Sequence, residues 1–105
     1  MAWLYLIIAG IFEIVWAMGL KCSQGFAKLL PSLITLGAMV VSFYFLALAT
    51  KSLPIGTAYA IWTGIGALGT VLLGMILFNE PVNILRIVFL CLILVGIFGL
   101  KITST

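Results

Sequence analysis

Charge is what this chain has least of. Histidine and aspartate are absent, and Glu13 and Glu80 are the only acids. Without histidine, aspartate or clustered acids, most catalytic triads and metal-ligand sets cannot be assembled, and no nucleophile–base pair suggests an enzyme. Cys22 and Cys91 are too few and too far apart for a disulfide framework or a metal site. No metal or cofactor is expected. The five basic residues, Lys21, Lys28, Lys51, Arg86 and Lys101, form no patch or stripe, so the net charge of +3 does not point to nucleic acid.

What fills the chain instead is hydrocarbon. Of its 105 residues, 66% are hydrophobic and 7% charged, with a mean hydropathy of +1.45. A water-soluble domain of this length needs more charge to cover its surface, so the chain reads as an all-α integral membrane protein with a single domain. Charge and proline divide it into four apolar runs, residues 2–20, 29–50, 55–78 and 84–101. Each approaches or exceeds the roughly 20 residues that a helix needs to cross hydrocarbon. The basic residues fall at run ends, where long side chains reach headgroups. Pro31 sits in the first turn of its run, where the missing N–H is harmless. The first run lacks the basic start and cleavage site of a signal peptide, and is expected to be retained.

Short loops make consecutive helices antiparallel neighbours and leave nothing outside the membrane large enough to bind nucleotide. With four spans, Lys51 and Lys101 share one side while Lys21, Lys28 and Arg86 share the other. Two against three barely selects an orientation. Either other signals decide it, or copies insert both ways and pair as an antiparallel dimer with the inverted geometry common in transporters.

Glu13 is the one acid inside a run. A carboxylate at that depth costs roughly 2.5–3.5 kcal/mol on insertion scales, so it faces a cavity or a partner. Desolvation penalises its charged form, which favours company from a proton or a cation. Helical spacing puts Gly10, Trp16 and Ala17 on its face, the small residues leaving space and Trp16 offering an N–H and a flat wall. Trp16 could equally be an interface anchor. Ser42, central in the second run, could bond a neighbouring carboxylate or merely its own helix. In the third run Tyr59, Trp62, Thr63 and Gly66 lie together; the rings suit a cation, or an interfacial belt. Gly56, Ala60, Gly64 and Ala67 form a stripe expected to pack helices. Gly96 and Gly99 with Leu92 suggest a contact face for dimerisation. Glu80 is expected at the boundary, paired with Arg86. Gly64-Ile65-Gly66-Ala67-Leu68-Gly69 matches a dinucleotide fingerprint, but mid-span, without the strand and later acid that such a site requires.

Gly10-Ile11-Phe12-Glu13-Ile14-Val15-Trp16-Ala17 and Pro54-Ile55-Gly56-Thr57-Ala58-Tyr59-Ala60-Ile61-Trp62-Thr63-Gly64-Ile65-Gly66 resemble the small multidrug resistance family, and the likeness covers essentially the whole chain. Gly10, Trp16 to Lys21, and Lys101 look like its guanidinium-exporter branch more than its quaternary-ammonium branch. The resemblance implies an antiparallel homodimer in the bacterial cytoplasmic membrane that exchanges protons for an organic cation such as guanidinium. It assigns substrate and proton binding to Glu13, surrounds that acid with Trp16, Ser42, Tyr59 and Trp62 as hydrogen-bonding neighbours, and makes the Gly64 and Gly66 region bend. Gly10 and Thr63 would line the site. Phe89 departs from the pattern, being large where some relatives carry a small residue in the dimer motif. The rival readings are a broad quaternary-ammonium exporter and, from another class, a passive channel or scaffold.

Overall fold

A computed structural model of the protein describes residues 1–103. Four helices account for nearly all of it: α1 Ala2–Cys22, α2 Leu29–Ala49, α3 Ile55–Leu77 and α4 Ile84–Thr103. Each is long and apolar enough to span a membrane. The helices start where the apolar runs start; α1 and α4 end two residues later than the runs predict, α2 and α3 one earlier. Lys21, expected in the loop, completes the last turn of α1, where a cation complements the carbonyl end of the helix.

Local chemistry closes each turn. Ser23 is fully buried after α1: its hydroxyl donates to the Leu20 carbonyl (2.8 Å) and accepts from the Phe26 N–H (3.0 Å). The next three residues, Gln24, Gly25 and Phe26, all take positive φ, which reverses the chain within a few residues. Between α2 and α3, the Leu53 N–H returns to the Ala49 carbonyl (3.0 Å) and Pro54 precedes the first turn of α3. Asn83 opens α4 by accepting the Arg86 N–H at its side-chain oxygen (2.9 Å). Glu80 and Arg86 approach to 3.7 Å, the expected pairing.

The helices form a slab of 43 × 35 × 16 Å rather than a round bundle. α1 is central, packed on α2 and α3, and the backbone of α4 comes close to α3 alone. Side chains brace the two ends: Lys21 Nζ lies 5.0 Å over the Phe78 ring, and Lys101 Nζ lies 5.6 Å over Trp3. The core is small, built on Leu6, Ala9, Ala49, Ala58, Ile61 and Trp62. Lipid supplies no hydrophobic drive between helices, so close backbone approach through small residues has to hold them.

Which small residues do this differs from the sequence expectation. Among Gly56, Ala60, Gly64 and Ala67, only Gly64 meets another helix; Gly56 faces open space and both alanines are exposed. The close approaches are Gly10 on Ile65, Gly19 on Thr35, Gly66 on Glu13 and Gly69 on Ile14. Gly64 of the stripe packs on α4, while the face of α3 that meets α1 is that of Gly66 and Gly69, because period alone does not say which face meets which helix. A side chain added at Gly96 or Gly99 would meet nothing among the described residues of the protomer.

Candidate functional site

The interior polar groups come from the middle of α1, α2 and α3. Ser42 on α2 is fully buried. Its hydroxyl donates to the Ala9 carbonyl of α1 (2.7 Å) and accepts from the Trp62 indole N–H of α3 (2.9 Å). One hydroxyl therefore ties three helices together. The expectation that Ser42 bonds the carboxylate, or its own helix, is replaced by this bridge: the Ala9 carbonyl accepts the hydroxyl proton across the interface.

Glu13, one turn further into the membrane on α1, lies against Gly66 of α3 so closely that a β-carbon there would collide with its carboxyl group. Its Oε1 is buried and, among the described residues, accepts no hydrogen bond. One turn along the same helix, the Trp16 indole N–H is likewise buried without an acceptor. A free acceptor and a free donor on one face stand beside a bridge whose donors and acceptors are all matched. Buried polar groups are normally paired, so this contrast singles out the Glu13–Trp16 face as the candidate site.

Aromatic rings form the wall. Phe43 of α2 stands edge-on between Trp16 (centroids 6.4 Å apart) and Trp62 (5.8 Å), both at 66°. Tyr59 continues the row at 5.6 Å from Trp62 and is 55% exposed, which leaves its phenol open to one side. Faces of such rings attract cations. Phe43 was missed in the sequence, where its only signal is an aromatic beside a central serine in an aliphatic run.

The other expected site residues separate. Gly10 offers no space beside the acid, since Ile65 packs directly on it. The Thr63 hydroxyl is used on its own helix, at the Tyr59 carbonyl (2.9 Å). Gly64 faces Ile97 and Ile93 of α4, whereas Gly66 faces Glu13. α3 is one continuous helix through both glycines. Thus the structure brings Glu13 to Gly66, and Ser42 to Trp62, with Phe43 joining the two indoles.

A carboxylate in hydrocarbon, flanked by a row of rings, is chemistry for a cation. The family profile described as Small Multidrug Resistance protein matches residues 1–93. The chain belongs to the small multidrug resistance family. Similar proteins include the "Guanidinium exporter" of Yersinia pseudotuberculosis serotype I (strain IP32953), 59% identical over 104 residues that cover 99% of this chain and 100% of that one. Those of Proteus vulgaris and Escherichia coli (strain K12) are 56% and 54% identical over the same length, each covering 99% of this chain and 100% and 99% of the relative. This small multidrug resistance protein is accordingly a multi-pass protein of the bacterial inner membrane. The motifs around Glu13 and Trp62 lie within the matched region, as does the whole row of rings.

Proposed function

We propose that this protein exports guanidinium and small guanidinyl cations across the cytoplasmic membrane in exchange for protons, the two competing for Glu13. The observation that carries the reading is the buried, unpartnered Glu13 Oε1 with the unpartnered Trp16 N–H one turn away. The name borne by relatives more than half identical to this chain supports guanidinium as the substrate.

Guanidinium is planar and donates a forked pair of hydrogen bonds that matches a carboxylate. Glu13 accepts that fork. Trp16 donates to the carboxylate edge left over and so holds its plane. Ser42 acts at one remove: by fastening α1 and α3 to α2 it sets where the acid stands. Tyr59, Trp62 and Phe43 face the cation with their rings, and Gly66 makes room for the carboxyl by having no side chain. Gly64 gives α3 the freedom to shift against α4.

Two copies in antiparallel orientation bring two Glu13 side chains to one cavity. A proton and a cation need the same oxygens, so loading one expels the other. The empty site, doubly charged, resists crossing because bare carboxylates are poorly tolerated at that depth. Reorientation then follows only when a proton or a substrate is aboard, which couples proton entry to cation exit. Exchange of roles between the two copies makes the inward-open and outward-open forms similar in energy. Neither a cofactor nor a covalent step is involved.

Sealed vesicles loaded with guanidinium, under a pH gradient, test the proposal. Glu13→Gln should abolish proton-driven exchange; exchange at the original rate would remove Glu13 from the mechanism. The ring row also suits quaternary ammonium ions, which bind through ring faces alone and need no fork. Transport of tetramethylammonium in preference to guanidinium would favour that second reading.

A further inference from the structure

Outside the site, one polar group is out of place. Arg86 stands in the first turn of α4, the end where a cation opposes the helix dipole. Its ion pair with Glu80 is long, at 3.7 Å, and its Nε is buried with no acceptor among the described residues. Arg86 also lines a groove of about 230 Å³ between α3 and α4, completed by Val71, Phe89, Leu90 and Ile93. Everything in that groove except the guanidinium is apolar. Arg86, Phe89, Leu90 and Ile93 follow one another on a single face of α4, so the groove runs about 10 Å from the membrane boundary into the hydrocarbon.

We infer that this groove is a binding site for an anionic phospholipid, with the phosphate on Arg86 and the upper acyl chain between Val71, Phe89, Leu90 and Ile93. The charge sits at headgroup depth and the oil-lined part points inward, which is the order of a lipid's own parts. A phosphate oxygen supplies the acceptor that Arg86 Nε lacks, and phosphate matches the fork of the planar guanidinium. Glu80 neutralises only one edge of the guanidinium, through the terminal nitrogen. A volume below the roughly 300–1,000 Å³ of drug-sized pockets fits a chain segment better than a compact solute. Bound there, the lipid fills the α3–α4 seam, the one close backbone contact that holds α4 to the rest of the slab. None of this depends on what Glu13 transports.

Native mass spectrometry of the intact detergent-purified protein tests it, with phosphatidylglycerol and phosphatidylcholine of identical acyl chains as probes. The wild type should retain phosphatidylglycerol roughly fivefold better, the effect of one basic side chain at an anionic headgroup. Arg86→Gln should bring phosphatidylglycerol down to the phosphatidylcholine level, and Arg86→Lys should keep part of the preference. Val71→Phe, which fills the groove from α3, should lower retention of both lipids; this variant carries the test if Arg86→Gln does not fold. Undiminished phosphatidylglycerol on Arg86→Gln, or on Val71→Phe, would overturn the inference. So would displacement of the lipid by millimolar inorganic phosphate, which assigns the charge to a free anion. Loss of the dimer in Val71→Phe would also overturn it, because a second copy would then be what covers the groove.

Discussion

Gly66→Ala separates the position of the Glu13 carboxyl from the general packing of α1 on α3. A β-carbon at residue 66 would stand 2.7 Å from Glu13 Cγ and nearer still to its carboxyl carbon and Oε1. Carbon atoms at optimal contact are about 3.5–4.0 Å apart, so the carboxyl end of the side chain has to retreat by roughly 1–2 Å. Overpacking of this kind costs about 1–3 kcal/mol, against which alanine in a helix interior recovers about 0.5–1 kcal/mol relative to glycine. The net loss of stability is therefore about 0–2.5 kcal/mol, and the variant should fold. A carboxylate pushed off α3 loses one good charge-assisted hydrogen bond to guanidinium, worth about 1.5–3 kcal/mol, or roughly 10- to 150-fold in affinity. Gly69→Ala is the matched control. Its β-carbon would meet Ile14 Cγ1 at the same 2.7 Å and Cδ1 closer, on the same interface, but it displaces a hydrocarbon and not the acid. Guanidinium titrations of the two purified variants, followed by indole fluorescence and accompanied by thermal denaturation, give the comparison. Equal affinity losses in both would refute the argument, since helix separation alone would explain them; unchanged affinity in Gly66→Ala would refute it as well.

Three further outcomes follow from the same geometry. Ser42→Ala leaves the Trp62 N–H buried without an acceptor and should destabilise the protein by about 1–3 kcal/mol; in a Trp62→Phe background the same change should cost less, and equal costs in the two backgrounds would deny the bridge. Guanidinium remains charged across the physiological range, so the pH dependence of its binding belongs to the protein. On the proposed competition at Glu13, lowering the pH should weaken binding, by up to about tenfold per unit where one proton is exchanged, and Glu13→Gln should flatten the pH profile of any binding that remains in calorimetric titrations. Finally, Gly96→Ala meets nothing inside the protomer. It should leave the protomer's helicity intact, by circular dichroism, while lowering the dimer fraction on cross-linking if a second copy covers that face.

The four spans, their bounds to within two residues, and the placing of the lone acid Glu13 inside a span could all be read from the chain. Lipid imposes a length and an apolarity that composition cannot hide, and a lone acid in such a run has no disguise. The motifs around Glu13 and Tyr59–Gly66 carried the family likeness because they hold the one acid inside a span and the Tyr59–Trp62 pair. What the chain could not reveal was which faces meet. On a helix apolar all round, the 3.6-residue period has no polar side to set its phase, so Gly56–Gly64 and Gly66–Gly69 look alike as contact surfaces. Only the packed structure turned Gly66 to the acid, filled the space at Gly10 with Ile65, and handed the Ser42 proton to the Ala9 carbonyl. It also set Phe43 between two indoles, and left one carboxylate oxygen and one indole N–H without partners. Hydropathy depends on each residue's own transfer free energy and so survives in one dimension. Rotational phase depends on which neighbour's small residue admits whose side chain, and that exists only once the helices touch.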